Sequence, residues 1–185
     1  YELIQWVRIG TTLATNAFLE RQGTKTALII TQGFADLLKI GKQNRSRIFE
    51  LKIEKPSLIY ECVVEIDERV RILSTGNIEV LCPPNIKKIR QKLADLRQKG
   101  IQSLAIAFMH AHIFPDHERI VKTLAQEFGF ENISISSEVL PLIKLVDRGQ
   151  TTCLDAYLNL PVQNYLKSFN KGLFPLFVMQ SDGGL

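Results

Sequence analysis

The stretch from Gln102 to Met109, QSLAIAFM, is a short apolar run with Gly100 just before it and a His- and Pro-containing segment just after it. A run of this length that does not alternate with polar residues suits a strand buried on both faces, at the centre of a sheet that helices cover. TALIIT, residues 26 to 31, has the same character. The segments that follow carry the other period. Ile86, Ile89, Leu93 and Leu96 recur at spacings of three and four, and Pro115 opens a second helix with Ile120, Val121, Leu124 and Phe128, closed by Gly129. Strands alternating with helices of this length predict a layered α/β domain, a mixed sheet whose central strands are largely parallel.

The remainder fits one such domain over residues 1–185. An apolar stretch from Ile4 to Ile9 leads through Gly10-Thr11-Thr12 into a helix carrying Leu13, Ala17 and Phe18, which stops at Gly23. Gly33 to Ile40 is a short helix ending at Gly41. Residues 42 to 58 are polar and irregular. Alternating segments at Tyr60–Ile66, Val70–Leu73 and Ile78–Leu81, with a turn at Gly76-Asn77, predict a small antiparallel patch, a β-rich excursion near residues 42–82. Asn132 to Ser136 reads as a strand. From about Arg148 to Asn170, Leu154, Leu158, Val162 and Leu166 mark a helix that Pro161 is expected to kink or split. Leu176 to Gln180 is a last strand, running into Ser181-Asp182-Gly183-Gly184.

Composition excludes several classes. No apolar run approaches the ~20 residues of a membrane span, and nothing resembles a signal peptide. Cys62, Cys82 and Cys153 are scattered and odd in number, which suits small buried hydrophobes in a reducing, cytoplasmic setting. The net charge is +4, much of it on the solvated face of the helix holding Lys87, Lys88, Arg90, Lys92, Arg97 and Lys99. No aromatics interleave these cations, so nucleic acid is not an expected partner, nor is a membrane. The chain starts at Tyr1 rather than Met and stops just after an apolar strand, and it is read as an internal segment of a longer protein.

Five features could carry chemistry. Gly10-Thr11-Thr12 would present amide N–H groups and hydroxyls to a phosphate or carboxylate, or simply cap a helix. His110, His112 and His117-Glu118 could ligate a metal, but loop histidines that position backbone are the favoured reading, and no metal site is expected. Glu65, Asp67 and Glu68 could form a carboxylate pair, against a solvated face as the simpler alternative. Arg148 and Asp155, seven residues apart, would share one side of a helix as an ion pair or as part of a site. Ser181-Asp182-Gly183-Gly184 stands out most, a Gly-rich turn after a buried strand, where α/β folds place ligands, with a plain turn as the equally open alternative.

Over nearly its whole length the chain resembles the hydantoinase A/5-oxoprolinase family. The agreement runs through RIGTTLATNAFLERQGTKTALIITQGFADLLKIGKQNR (8 to 45), SSEVLP (136 to 141) and MQSDGGL (179 to 185). IYECVVEIDERV (59 to 70), MHAHIFPDHE (109 to 118) and RGQTTCLDAYL (148 to 158) lean toward the 5-oxoprolinases, while Asn44 leans toward the hydantoinases, and His112 and Ile113 depart from the usual residues. The resemblance implies part of an actin-like, ribonuclease-H-like ATPase lobe. It implies an ATP- and Mg²⁺-using enzyme that phosphorylates a lactam oxygen so that water can open the ring, turning 5-oxo-L-proline into L-glutamate. The family's two phosphate-binding motifs are absent here, so the segment alone is expected to be inactive. By position the resemblance carries over Asp182 as catalytic, and Gly10, Thr11, Thr12, Asn16, Arg148, Asp155, Gly183 and Gly184 as substrate- or nucleotide-binding. Implied partners are a small cyclic amide and the rest of the chain or a hydantoinase B-like subunit, in a homo-oligomer. The alternatives are an ATP-dependent hydantoinase, a more distant ketone carboxylase subunit, and a non-catalytic assembly lobe that docks through the basic helix.

Overall fold

The computed structural model describes residues 5–42, 49, 55–169 and 175–179. The chain divides into two compact units: Tyr1–Thr24 with Leu158–Leu185, and Lys25–Tyr157.

The larger unit is built on a four-stranded parallel sheet of β2 (Thr26–Thr31), β3 (Cys62–Ile66), β6 (Ser103–Ala107) and β7 (Asn132–Ile135), in the spatial order β3-β2-β6-β7. Every residue of β2 and β6 is buried, as their continuous apolar character requires. Residue parity assigns the faces. Ala27, Ile29, Leu104 and Ile106 pack with Ile89, Leu93 and Leu96 of α3 (Ile86–Gln98) and with Val121 and Leu124 of α4 (Asp116–Glu127), where Phe128 joins them half-buried. Leu28, Ile30, Ala105 and Ala107 turn the other way. They meet Leu38 of α2 (Leu37–Ile40) and Cys153 and Ala156 of α6 (Leu145–Phe169). The unit is thus a three-layer sandwich of helix, sheet and helix. Asn85 starts α3, its side chain accepting from the Lys88 amide.

Three expectations need correction. The segment at 60–66 does not join an antiparallel patch, because β3 lies parallel to β2 with Val64 opposite Ile29, as the outer strand of the main sheet. Its half-buried pattern is that of an edge strand covered by helices, which alternation alone does not separate from a hairpin arm. The antiparallel part is only β4 (Arg69–Ile72) with β5 (Ile78–Cys82), closed by the turn at Gly76. Second, Pro161 does not split the last long helix, which runs unbroken from Leu145 to Phe169. A proline lacks one N–H, so it costs the bond to the Tyr157 carbonyl without necessarily ending the helix. Third, of the cysteines only Cys153 is fully buried, and burial pushes its thiol up to about 12, whereas Cys62 and Cys82 are half-exposed.

In the smaller unit, β1 (Val7–Ile9) leads into α1 (Leu13–Leu19) and pairs in parallel with β8 (Leu176–Val178). Among the described residues no helix is long and apolar enough to cross a membrane.

Candidate functional site

Parallel strands collect their C-terminal ends at one edge, and each unit has such an edge. In the smaller unit Ile9 lies opposite Val178, and the Met179 amide donates to the Ile9 carbonyl at 2.9 Å. Gly10 therefore starts its loop beside Met179, and a Cβ at Gly10 would come within 3.1 Å of the Met179 methyl carbon. Thr11 rather than Thr12 acts on the helix start: its hydroxyl accepts from the Leu13 amide at 3.1 Å. Thr12 stands at the cap position without a side-chain cap, and its hydroxyl accepts from Asn16 at 3.4 Å. Gly10, Thr11, Thr12 and Asn16 thus form one small loop cluster. Ser181, Asp182, Gly183 and Gly184 lie outside the described residues, but the strand leading to them ends at the same sheet edge as Gly10.

The larger unit places more polar groups at its edge. Glu118, in the first turn of α4, is fully buried. Its carboxylate accepts from the Phe108 and Ser137 amides, both at 2.9 Å, and from the hydroxyls of Ser136 and Ser137. Arg148 is equally buried. It donates to the Ser136 hydroxyl at 2.7 Å and to the Met109 carbonyl at 2.8 Å, with the Glu118 carboxylate at 4.0 Å. A second cluster lies alongside: the Thr31 hydroxyl donates to Glu68, and His117 meets the other Glu68 oxygen at 2.7 Å. The Thr31 oxygen in turn accepts from the Met109 amide at 3.0 Å. Two buried polar clusters therefore converge on the backbone of Phe108 and Met109.

Several candidates change meaning here. Arg148 and Asp155 do not pair; Asp155 is exposed and accepts from Ser134 at 2.6 Å, on a different neighbour from Arg148. Glu68 is not on a solvated face but buried against His117, while Asp67 is exposed as expected. Glu65 accepts from the Gly33 and Ala35 amides at 2.7 and 3.2 Å, so it fixes a loop. Among the described residues no group of three potential ligands could hold a metal. Sequence reading missed Ser136 and Thr31, and weighed Glu118 only as a metal ligand, not as the acceptor of loop amides. The one available signal was Glu118 next to His117 at a helix start, where a carboxylate can turn back to loop amides.

His112 has both ring nitrogens buried without a hydrogen-bond partner. Burial first, then the Arg148 charge and His110, holds it below the ordinary 6.5. The unfolded chain then binds the proton more readily, so stability falls as pH drops below about 6.5 until the folded value is passed. His112→Phe loses no hydrogen bond and removes this titration. Urea melts at pH 5 and pH 7.5 are expected to differ less in the variant than in the parent; an equal difference would refute the assignment.

At the strand ends of the larger unit lies a cleft of about 410 Å³. Phe34, Leu37, Met109, Leu145 and Val146 form its apolar walls, and Lys42, Lys144 and Asp147 its polar rim. Phe34 follows β2 and Met109 follows β6. These neighbouring strands lead away to opposite sides, β2 to β3 and β6 to β7, so the cleft sits at the topological switch point of the sheet. Gly33, at φ 92°, makes the turn that brings Phe34 back, its conformation suited to glycine. Arg69 ties the two walls together: it donates to the Gln32 carbonyl at 3.0 Å, reaches the Met109 sulfur at 3.8 Å and lies over the Phe34 ring at 5.6 Å.

A model of the hydantoinase/oxoprolinase N-terminal region matches residues 1–129. The 5-oxoprolinase of Dictyostelium discoideum is 45% identical over 209 aligned residues, covering 98% of this chain and 16% of that protein. The 5-oxoprolinase 1 of Arabidopsis thaliana is 42% identical over 203, again with 98% and 16% coverage. Among solved structures, an ATP-dependent caprolactamase from Pseudomonas jessenii aligns with a TM-score of 0.80 at 25% identity, over 95% of this chain and 26% of that one. The chain thus spans 16% of the length of these curated relatives, and with its family model covering residues 1–129 it belongs to the hydantoinase/oxoprolinase family, as part of the N-terminal region.

Proposed function

We propose that the protein containing this chain is an ATP-dependent cyclic amidohydrolase that opens 5-oxo-L-proline to L-glutamate with release of ADP and phosphate. The observation that carries the reading is the 45% identity to a 5-oxoprolinase along 98% of the chain. The chemistry is consistent with it. An amide carbon is a poor electrophile, and phosphorylating its oxygen makes the carbon open to water; the work left to the protein is positioning and charge stabilisation.

The β1–α1 loop is assigned to an anionic group, a phosphate of ATP or the substrate carboxylate. Gly10 lets the backbone pass close to Met179, the Thr11 hydroxyl stands beside the Leu13 amide of α1, and the Thr12 hydroxyl is joined to the Asn16 side chain. The described loop has no metal-ligating cluster, so it fits a phosphate only together with groups from the rest of the protein, which would also hold Mg²⁺. ATP supplies the activating phosphoryl group when bound. Asp182, with Gly183 and Gly184, is assigned to the substrate side, where a carboxylate can accept a ring N–H or orient water. Arg148 and Asp155 are reassigned: Arg148 holds the Met109 carbonyl, and Asp155 accepts from Ser134 of β7, both in the larger unit. Both units serve one actin-like ATPase region, acting with the rest of the chain or a hydantoinase B-like subunit in a cytoplasmic homo-oligomer.

The test compares 5-oxo-L-proline with hydantoin in the intact protein, following ADP release. Faster turnover with 5-oxo-L-proline supports the reading, and faster turnover with hydantoin assigns the protein to the hydantoinase branch. The 185-residue chain alone is expected to release no ADP above a buffer blank; release that Thr11→Ala abolishes would contradict its role as a partial site.

A further inference from the structure

We propose that the switch-point cleft of the larger unit is a second ligand site, and that it takes a small carboxylate with an apolar body. The proposal does not depend on which ring the enzyme opens, since it concerns binding in a different unit from the β1–α1 loop.

Three observations carry it. The first is the place: the cleft lies outside the carboxyl ends of two adjacent parallel strands whose connections part, the position where open α/β sheets bind ligands. The second is the rigidity of its walls. Met109 has its amide held by Thr31, its carbonyl by Arg148, and the preceding amide by Glu118, while Arg69 joins Met109 to the Phe34 loop. Walls fixed before binding do not have to be ordered by the ligand. Fully buried charges gathered on one loop of an otherwise apolar core are costly to maintain, and here they fix the loop that lines the cleft.

The third observation is the chemistry of the lining. The walls offer a phenyl ring, a thioether and three aliphatic side chains, which match an apolar body. At about 410 Å³ the space falls in the range of small-molecule pockets. The rim is cationic on balance. Lys42 and Asp147 neutralise each other at 2.5 Å, whereas the exposed Lys144 ammonium has no side-chain partner among the described residues. An anionic head at the rim and an apolar tail inward satisfies both. A lactam acid such as 5-oxo-L-proline fits less well, because its ring N–H and C=O would face apolar walls without partners.

The probe is 3-phenylpropionate, titrated calorimetrically into the intact protein, with 3-phenylpropan-1-ol as the uncharged analogue. The carboxylate is expected to bind, and the alcohol to bind about tenfold more weakly, as the loss of one charge-assisted contact implies. Lys144→Glu is expected to weaken the carboxylate about tenfold or more and leave the alcohol unchanged. Val146→Asp places a charge in the wall and is expected to weaken both. Lys144 is exposed, so its variant is expected to melt like the parent even if Val146→Asp does not. Binding of 5-oxo-L-proline at the catalytic site is expected to proceed without displacing the probe. No heat with 3-phenylpropionate, equal affinity for acid and alcohol, no effect of Lys144→Glu, or displacement by 5-oxo-L-proline would each overturn the proposal. Ring-opening activity is not read in any arm, so failure here is distinct from failure of the 5-oxoprolinase reading.

Discussion

Asp182→Asn in the intact enzyme is expected to slow ring opening by on the order of 100-fold or more, with global stability within about 0.5 kcal/mol of the parent. The substitution keeps the size and removes the charge. β8 ends at the sheet edge from which Gly10-Thr11-Thr12 departs, since Val178 lies opposite Ile9 in parallel register. In this assignment the β1–α1 loop would serve an anion, and the Asp182 carboxylate would accept a substrate N–H or orient a water. The sequence Ser181-Asp182-Gly183-Gly184 is polar and Gly-rich, the composition of a turn rather than of a core, so little stability is expected to be at stake. Steady-state rates and a thermal melt of the same preparation check both halves. Full activity in the variant would return Asp182 to the role of a turn residue.

Glu118→Ala is expected to be among the most destabilising single changes in the larger unit, by about 3–5 kcal/mol. The carboxylate is fully buried and accepts from two backbone amides and two hydroxyls. Removing it strands the Phe108 and Ser137 amides and leaves the buried Arg148 without its nearest anion. Glu127→Ala supplies the contrast. Its ion pair with Arg90 is about half-exposed on both sides, so its loss is expected to cost less than about 1 kcal/mol. Urea melts of the three proteins separate the two cases. Equal midpoints for Glu118→Ala and Glu127→Ala would mean that the buried cluster contributes nothing beyond a surface pair.

The layered α/β architecture was legible because its signals are local. TALIIT and the run around Ile106 have no polar face to show, and both became central strands; Ile89, Leu93 and Leu96 came inward as their spacing implied. Ile86 of the same stripe, the first residue of α3, stays 41% exposed. The place of β3 was not legible. Which strand neighbours which is decided by long-range pairing, and CVVEI reads alike beside β2 or beside β4. The family resemblance pointed to the β1–α1 loop and to Asp182, which lies outside the described residues, but no local pattern could show that Glu68 meets His117 across 49 residues. Nor could one show that Glu118 turns back to Phe108 and Ser137. Buried polar clusters are assembled by the fold, and a sequence displays their members only as isolated charges.

The most direct test is to measure ADP and L-glutamate together as the intact protein turns over 5-oxo-L-proline with ATP and Mg²⁺. ADP release is expected to depend on the lactam, and both products are expected to rise in equal amounts. ADP release at the same rate with and without 5-oxo-L-proline, with no L-glutamate formed, would contradict this expectation.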